Sequence, residues 1–257
     1  MTSLLRADLL KTGKRSMGWS MLGSSVALLT LFMVVFARFA PPEAGLVISF
    51  DYPLGLVFGP QLLNQLGTLM LVVFGASLIG TEYRFDTWKN LLTRRATRVP
   101  FIISKWLTLV IAVVLGVVAI ALWSQALGAL LGTGRDVGAM SLGSVLAQVS
   151  VYGLSWLVAG TIGMLGAVLG RTTVAGIILG VVWLIGEGIA MSLVQLSERV
   201  AWIGDGLFTN ASTNLLAYAG NTPAEWSVLH STIVAAAYLI IPLAVAAYVF
   251  RKRDMAG

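Results

Sequence analysis

Residues 101–132 read FIISKWLTLVIAVVLGVVAIALWSQALGALLG, and Lys105 is the single charged residue among them. A helix needs about 20 apolar residues, each rising 1.5 Å, to cross roughly 30 Å of hydrocarbon. This stretch is therefore long enough to span a bilayer. The stem of a lysine near the start of such a helix can run along apolar surface while its amine stays in water. The stretch predicts a transmembrane helix with Lys105 snorkelling at one end.

The rest of the chain has the same character. Of its 257 residues, 58% are hydrophobic and 11% are charged, whereas a soluble domain carries about 25% charged residues. Five further apolar stretches of spanning length are Ser16 to Ala37, Gln61 to Gly80, Val145 to Gly170, Thr172 to Leu193 and Val228 to Phe250. The sequence predicts an all-α integral membrane protein with six transmembrane helices in a single domain, residues 1–257.

The distribution of basic residues predicts the orientation. An even number of spans places both termini on one side, and that side receives fourteen of the seventeen Lys and Arg residues. Basic residues are retained on the cytoplasmic side of membranes, so both termini are expected in the cytoplasm. The net charge of +6 is explained in this way, without a nucleic-acid partner. With no cysteine and one histidine, His230, disulfides and His- or Cys-rich metal sites are excluded.

The segment before the first span, residues 1–16, has an amphipathic pattern. Leu5, Leu9 and Thr12 share one helical face, and basic residues occupy the others: Arg6, Lys11 and Lys14. This pattern is typical of a short helix that lies in the membrane interface. A flexible basic tail is the alternative, because so short a helix is marginal in water.

Residues 81–100, TEYRFDTWKNLLTRRATRVP, form the second gap between spans. Four apolar residues recur at helical spacing in it: Phe85, Trp88, Leu91 and Leu92. Asp86 is a suitable N-cap, and Pro100 is well placed to open the next helix. The gap is predicted to hold a cytoplasmic helix with one apolar and one basic face. On these residues alone, the helix either lies on the lipid surface or docks on a cytoplasmic partner.

Two polar features within the spans are candidates for a substrate pathway. A polar stripe at i, i+3, i+4 and i+7 is made of Gln61, Asn64, Gln65 and Thr68 in the second span. It either lines a pathway or forms hydrogen bonds between helices at the water-exposed end of the span. Glu187 is a carboxylate inside the fifth span, where an exposed charge costs roughly 2.5–3.5 kcal/mol at the bilayer centre. It must therefore face protein or water, in a structural role or a transport role.

Small residues and a long loop complete the pattern. Gly166 and Gly170, and then Gly176 and Gly180, are spaced for close approach of helices, so they are assigned to packing.

The outer loop, residues 195–227, is long for a connector and carries several aromatic and aliphatic residues. It is expected to dip into or cap the outer membrane face.

The second gap also carries a family resemblance. Its residues have the order and spacing typical of type-2 ABC exporter permeases, the type V exporter fold: Glu82, Thr87, Leu91-Leu92-Thr93, Arg98 and Lys105. Ala7-Asp8-Leu9-Leu10-Lys11 and the six-span layout resemble that family too, so the similarity covers essentially the whole chain. Arg95 departs from the pattern, because the family commonly has proline there.

The resemblance implies that Asp86 to Thr93 is a coupling helix seated in a groove of an ATPase subunit. It also implies two permease subunits, identical or paralogous, and two nucleotide-binding subunits. The residues it assigns to coupling are Glu82, Phe85, Asp86, Thr87, Trp88, Leu91, Leu92 and Arg98. The chain has no Gly-x-x-x-x-Gly-Lys-Ser/Thr phosphate loop, so it is not expected to be an enzyme or to bind a cofactor or metal itself. ATP and Mg²⁺ are assigned to the partner.

The function expected from this resemblance is that of the transmembrane subunit of an ATP-driven exporter in the plasma membrane. The largely apolar spans favour an amphipathic or hydrophobic cargo, such as a drug, a peptide or a lipid. An ion-coupled secondary transporter is the alternative. Such transporters usually place several ionisable groups and broken helices near the bilayer midplane, where this sequence offers Glu187.

Overall fold

The computed structural model describes residues 2–39, 52–85, 98–131, 140–196 and 198–252. Within these ranges all regular structure is helical, with a single 3₁₀ turn at Glu198–Val200. The α-helices are α1 (Thr2–Lys14), α2 (Ser16–Phe39), α3 (Gly55–Leu62), α4 (Asn64–Arg84), α5 (Arg98–Leu131), α6 (Leu142–Gly170), α7 (Thr173–Leu196), α8 (Ala201–Gly204), α9 (Phe208–Ala219) and α10 (Val228–Lys252).

Six of the described helices are long and apolar enough to cross a membrane: α2, α4, α5, α6, α7 and α10. They are called spans 1 to 6 in that order, and they confirm the all-α fold class and the predicted number of spans. Each lies within a few residues of its predicted stretch. The largest difference is in span 2, which begins at Asn64 and continues to Arg84, beyond the predicted end at Gly80.

The start of span 2 differs from the prediction because the helix is interrupted at Leu63. This residue has φ −89° and ψ 5°, outside the helical range, and it separates α4 from the short helix α3. Pro60 within α3 has no N–H to continue the hydrogen-bond ladder, which favours a break in this part of the chain. Gln61 therefore belongs to α3, whereas Asn64 and the residues after it belong to span 2.

Helix α1 and the C-terminal end of span 6 lie on the same side of the spans, here called the terminus side. The ring of Phe101 at the start of span 3 stacks on that of Phe250 at the end of span 6, with the centroids 5.5 Å apart. Helix α1 packs against span 3 near the same level. Residues 2–14 are helical, as predicted for the N-terminal segment.

Spans 2 and 4 pack together at the centre of the described structure, and one face of span 5 packs against both of them. Spans 2 and 4 are mostly buried, whereas most of the surface of spans 1, 5 and 6 is exposed. The contacts are backbone to backbone: a Cβ atom on Gly75 of span 2 would overlap the Gly160 carbonyl oxygen of span 4. In lipid, helices gain little from burying apolar surface against one another, so close contact between small residues stabilises their association.

The predicted glycine pairs are part of this contact. Gly176 of span 5 faces Ala76 of span 2 and the Gly163 carbonyl of span 4, and Gly166 of span 4 faces span 5. A side chain at either position would collide with backbone atoms of a neighbouring span. The assignment of these glycines to packing is confirmed.

The outer loop folds into short helices on the side opposite the termini. Its longest helix, α9, packs against spans 4 and 6, and Phe208 at its start is buried. The predicted cytoplasmic helix of residues 86–93 lies outside the described residues. The structure describes the start of this loop up to Phe85 and its end from Arg98 onward.

We predict that Gly75→Val will destabilise the protein by about 1–3 kcal/mol, the usual cost of overpacking a close-packed interior. The added side chain would separate spans 2 and 4. Thermal unfolding of the purified protein in detergent measures the loss. Gly188→Val is the matched control, since a Cβ there meets no heavy atom within 4 Å. Equal stability of the two variants would contradict the proposed close contact.

Candidate functional site

A cluster of four charged side chains joins three helices on the terminus side. The amine of Lys105, on span 3, lies 2.6 Å from Asp8 Oδ1 of α1 and 2.8 Å from Glu82 Oε1 of span 2. Lys11 of α1 donates to the same Glu82 oxygen at 2.8 Å. Among the described residues, two lysines and two carboxylates therefore lie in one group. We call it the inner ion cluster.

The inner ion cluster is buried. Glu82 is 2% exposed and Lys105 is 3% exposed, so Lys105 forms buried ion pairs and the prediction that it snorkels to water is wrong. Snorkelling is unnecessary because two carboxylates neutralise the amine where it lies. Ser104 donates to Asp8 Oδ2 at 2.8 Å, and the amine of Lys105 lies 5.4 Å from the centre of the Phe101 ring. Charges withdrawn from water need such partners and hydrogen bonds to offset their desolvation.

The cluster brackets the second gap, in which the coupling residues were predicted. Glu82 lies in the last turn of span 2, and Lys105 lies in the third turn of span 3. Phe85 ends the described part before the gap and is exposed, with the Arg84 guanidinium 5.5 Å from its ring centre. Arg98 is the first residue of span 3. The other predicted coupling residues lie outside the described residues: Asp86, Thr87, Trp88, Leu91 and Leu92.

A second polar cluster surrounds Glu187 on the opposite side. Glu187 is 6% exposed, and its carboxylate accepts the backbone N–H groups of Phe208 (3.2 Å) and Thr209 (3.0 Å), the first residues of α9. The hydroxyls of Thr209 (2.9 Å) and Tyr238 (2.8 Å) also donate to it. A carboxylate is favoured at the N-terminus of a helix by the unpaired N–H groups and the helix dipole. Glu187 thereby fastens the outer loop to spans 5 and 6.

Aromatic rings surround this carboxylate. Trp183, Phe208 and Tyr238 have ring centroids 5.6–6.1 Å apart in tilted pairs. They exclude water and strengthen the charge-assisted hydrogen bonds that they surround. We call Glu187 and its four donors the outer clamp. In this geometry the donors are all supplied by the protein, which favours the structural role among the two roles weighed from sequence.

The polar stripe of span 2 does not form one continuous face. Gln61 and Gln65 are exposed, but Gln61 lies before the helix break at Leu63. Thr68 is buried and its hydroxyl donates to the Asn64 carbonyl at 2.6 Å, within its own helix. Thr68 thus faces the protein interior, and Gln61 and Gln65 are the members of the stripe that face outward.

Sequence reasoning missed Asp8, Thr209 and Tyr238 as partners of the buried charges. The role of Asp8 could have been predicted from the sequence, because Asp8 lies three residues after Leu5 and four before Thr12, on the apolar face of α1. A carboxylate on an apolar face needs a cationic partner, and Lys105 was available in a span. The contacts of Thr209 and Tyr238 with Glu187 could not be predicted in the same way, because a hydroxyl in a loop or a span can form hydrogen bonds with many different groups. In the described ranges, His, Asp and Glu side chains do not gather in groups of three suited to a metal ion.

Residues 55–256, more than half of the chain, match the protein family described as Protein of unknown function (DUF2705). The chain belongs to this family. Among curated proteins there is no match. The matched range begins at α3 and contains Glu82, Lys105 and the whole outer clamp, whereas Asp8 and Lys11 precede it. The inner ion cluster therefore connects the segment before the matched range to the matched part of the chain.

We predict that Lys105→Met will destabilise the protein by about 3–5 kcal/mol, the usual cost of removing one partner from a buried ion pair. The substitution leaves the carboxylates of Asp8 and Glu82 facing each other without the amine between them. Thermal or denaturant unfolding of the purified protein checks the expectation. Lys252→Met removes an exposed lysine on the same side and should cost far less. Similar losses in the two variants would show that the buried pairs contribute little.

We predict that Glu187→Gln will loosen the start of α9, because the neutral side chain replaces one acceptor oxygen with an N–H₂ group. The backbone amides of Phe208 and Thr209 should exchange with deuterium about tenfold faster, corresponding to a loss of about 1.4 kcal/mol. Exchange measured by mass spectrometry on the protein in nanodiscs tests this. Glu225→Gln is the control, since Glu225 is an exposed carboxylate in the same loop. Unchanged exchange in the Glu187 variant would rule out the clamp.

Proposed function

We propose that this chain is the transmembrane subunit of an ATP-driven ABC exporter, which acts as a dimer together with separate ATPase subunits. The observation that carries the proposal is the inner ion cluster, which ties both ends of the 82–105 segment to each other and to α1. The six spans indicate a multi-pass membrane protein. The excess of basic residues on the terminus side supports a cytoplasmic location for both termini and for this segment.

The inner ion cluster is suited to transmitting force. A partner that moves the loop between Phe85 and Arg98 pulls on two helices at once, because Glu82 and Lys105 hold their ends together. Buried ion pairs resist separation, since an unpaired charge in this environment is costly. Displacement of the loop would therefore move spans 2 and 3 and α1 as a unit. Such a rigid link is what a protein without its own ATPase needs in order to use an ATPase cycle.

We assign the contact surface for the second permease copy to span 5, the most exposed of the described spans. Span 5 presents a continuous outward row of aliphatic side chains: Val174, Ile178, Val182, Ile185, Ile189 and Leu193. Gln65 of span 2 faces outward as well. In the proposed dimer, spans 2 and 5 of the two copies enclose the pathway, and Gln61 and Gln65 are its polar lining.

The geometry around Glu187 supports an ATP-driven exporter over the alternative, an ion-coupled secondary transporter. A coupling carboxylate must exchange its proton or cation during transport. Glu187 instead accepts four hydrogen bonds that hold the outer loop, so releasing it would detach α9. In the inner ion cluster, Glu82 and Lys105 are buried, and Lys105 pairs with both Asp8 and Glu82. ATP and Mg²⁺ would be bound by the partner subunits.

We predict that the chain, expressed in its native cells with an affinity tag, will bring down an ATPase subunit and that the complex will hydrolyse ATP. Trp88→Ala combined with Leu91→Ala and Leu92→Ala should lower the recovered ATPase at least tenfold, because the apolar face that contacts the partner is removed. The six-span domain should keep its thermal stability. Trp202→Ala removes an exposed tryptophan of the outer loop and should leave recovery unchanged.

Two outcomes would contradict the proposal. Recovery of the full-length chain without any ATPase subunit, in mild detergent and in nanodiscs, would exclude a stable transporter complex. Undiminished recovery with the triple variant would show that the partner binds elsewhere. A proton- or sodium-dependent flux in proteoliposomes, in the absence of ATP, would favour the secondary transporter instead.

A further inference from the structure

A narrow apolar cavity of about 240 Å³ lies between spans 1, 2, 3 and 4. It follows span 3 from Ala112 to Ile120, a rise of roughly 12 Å along the helix. Trp156 of span 4 and Gly67 of span 2 line its deeper part. The cavity lies within one protomer, apart from both the inner ion cluster and the outer clamp.

The lining gives a water molecule little to bind. Its polar side-chain groups are the hydroxyls of Thr12 and Ser25 and the indole N–H groups of Trp19 and Trp156. Ser25 already donates to the Met21 carbonyl at 2.9 Å and Trp19 to the Gly13 carbonyl at 2.8 Å, whereas Trp156 Nε1 is a buried donor without a hydrogen-bond partner among the described residues. A buried water typically needs two to four polar partners, and apolar cavities of this size stay dry or take up apolar molecules. The occupant is therefore apolar and elongated. A helix of a second protein copy is about 10 Å across and does not fit.

The mouth of the cavity lies at the elbow between α1 and span 1. Gly13, Gly18 and Trp19 line it, and the Trp19 indole donates to the Gly13 carbonyl at 2.8 Å. Two basic residues follow Gly13 directly. Lys14 is exposed, and Arg15 reaches Thr81 of span 2 with a hydrogen bond of 2.9 Å. An apolar channel thus opens beside two positive charges at the membrane interface.

We propose that this cavity binds one acyl chain of an anionic phospholipid, whose phosphate lies against Lys14 and Arg15. The chain enters at the elbow and runs between spans 1 and 3 toward Trp156. The bilayer supplies this ligand at high local concentration, and basic residues at the interface attract anionic headgroups. The site does not depend on an ATPase partner. It places a lipid between the poorly packed span 1 and the rest of the molecule.

The test uses the full-length protein in nanodiscs that contain a small fraction of phosphatidylglycerol with a photoactivatable diazirine on one acyl chain. After illumination, mass spectrometry locates the labelled residues. Labels are expected in two segments, around Met21 and Leu22 of span 1 and around Ala112 to Gly116 of span 3. The same chain on phosphatidylcholine should label these segments at least threefold less. Equal labelling by both lipids would overturn the headgroup part of the proposal.

Variants that fill the cavity make the test specific. A Cβ on Gly18 or on Gly116 meets no heavy atom within 4 Å, so Gly18→Phe and Gly116→Phe place a ring in the cavity without a backbone clash. Each should lower labelling of both segments at least fivefold. Gly23→Phe is the matched control on span 1, exposed and outside the cavity, and should leave labelling unchanged. Two separate filling variants keep the test valid if one of them fails to fold.

Two results would overturn the proposal as a whole. In the first, labels spread evenly over the outward row of span 5 and over span 1, and the filling variants have no effect. In the second, the span 1 and span 3 segments remain unlabelled by either lipid, as expected if another part of a second copy covered the mouth. Lys14→Gln should reduce labelling by phosphatidylglycerol and leave labelling by phosphatidylcholine unaffected.

Discussion

Every charge that this chain places below the membrane surface has to be neutralised by the protein itself, and this constraint determines the arrangement of the polar groups. Lys105 is neutralised by Asp8 and Glu82, and Glu187 is stabilised by the N-terminus of α9 and by two hydroxyls. Both solutions recruit groups from distant parts of the sequence. As a result, two short peripheral helices, α1 and α9, are fixed to the spans by electrostatic interactions in addition to their packing contacts.

The sequence was sufficient for the fold class because the bilayer imposes a simple rule. A segment of about 20 apolar residues must satisfy its own backbone, so span number, approximate ends and glycine packing could be predicted without knowledge of tertiary contacts. The helical character of residues 2–14 followed from the spacing of Leu5, Leu9 and Thr12. The break at Leu63 was less accessible, because Pro60 is compatible with a continuous kinked helix as well as with two helices.

The candidate sites were harder to predict, because they depend on which helices become neighbours. Glu82 and Lys105 were singled out by family resemblance, yet their mutual contact and their burial required the fold. Lys105 illustrates the difficulty: a lysine near a helix end is compatible with snorkelling and with a buried pair, and the positions of Asp8 and Glu82 decide between them. The polar stripe of span 2 had the same limitation, since helical spacing identifies a shared face without identifying what that face contacts.

The backbone contacts among spans 2, 4 and 5 have a mechanical consequence. Where glycines bring main chains together, there are no long side chains to rearrange, so a tilt of one of these spans would carry its close-packed neighbours with it. Glu82 lies near one end of these packed spans, and Glu187 lies toward the other, on the far side of the membrane. A tilt imposed at Glu82 would therefore displace Glu187, and α9 would move with it because its first residues are hydrogen-bonded to that carboxylate.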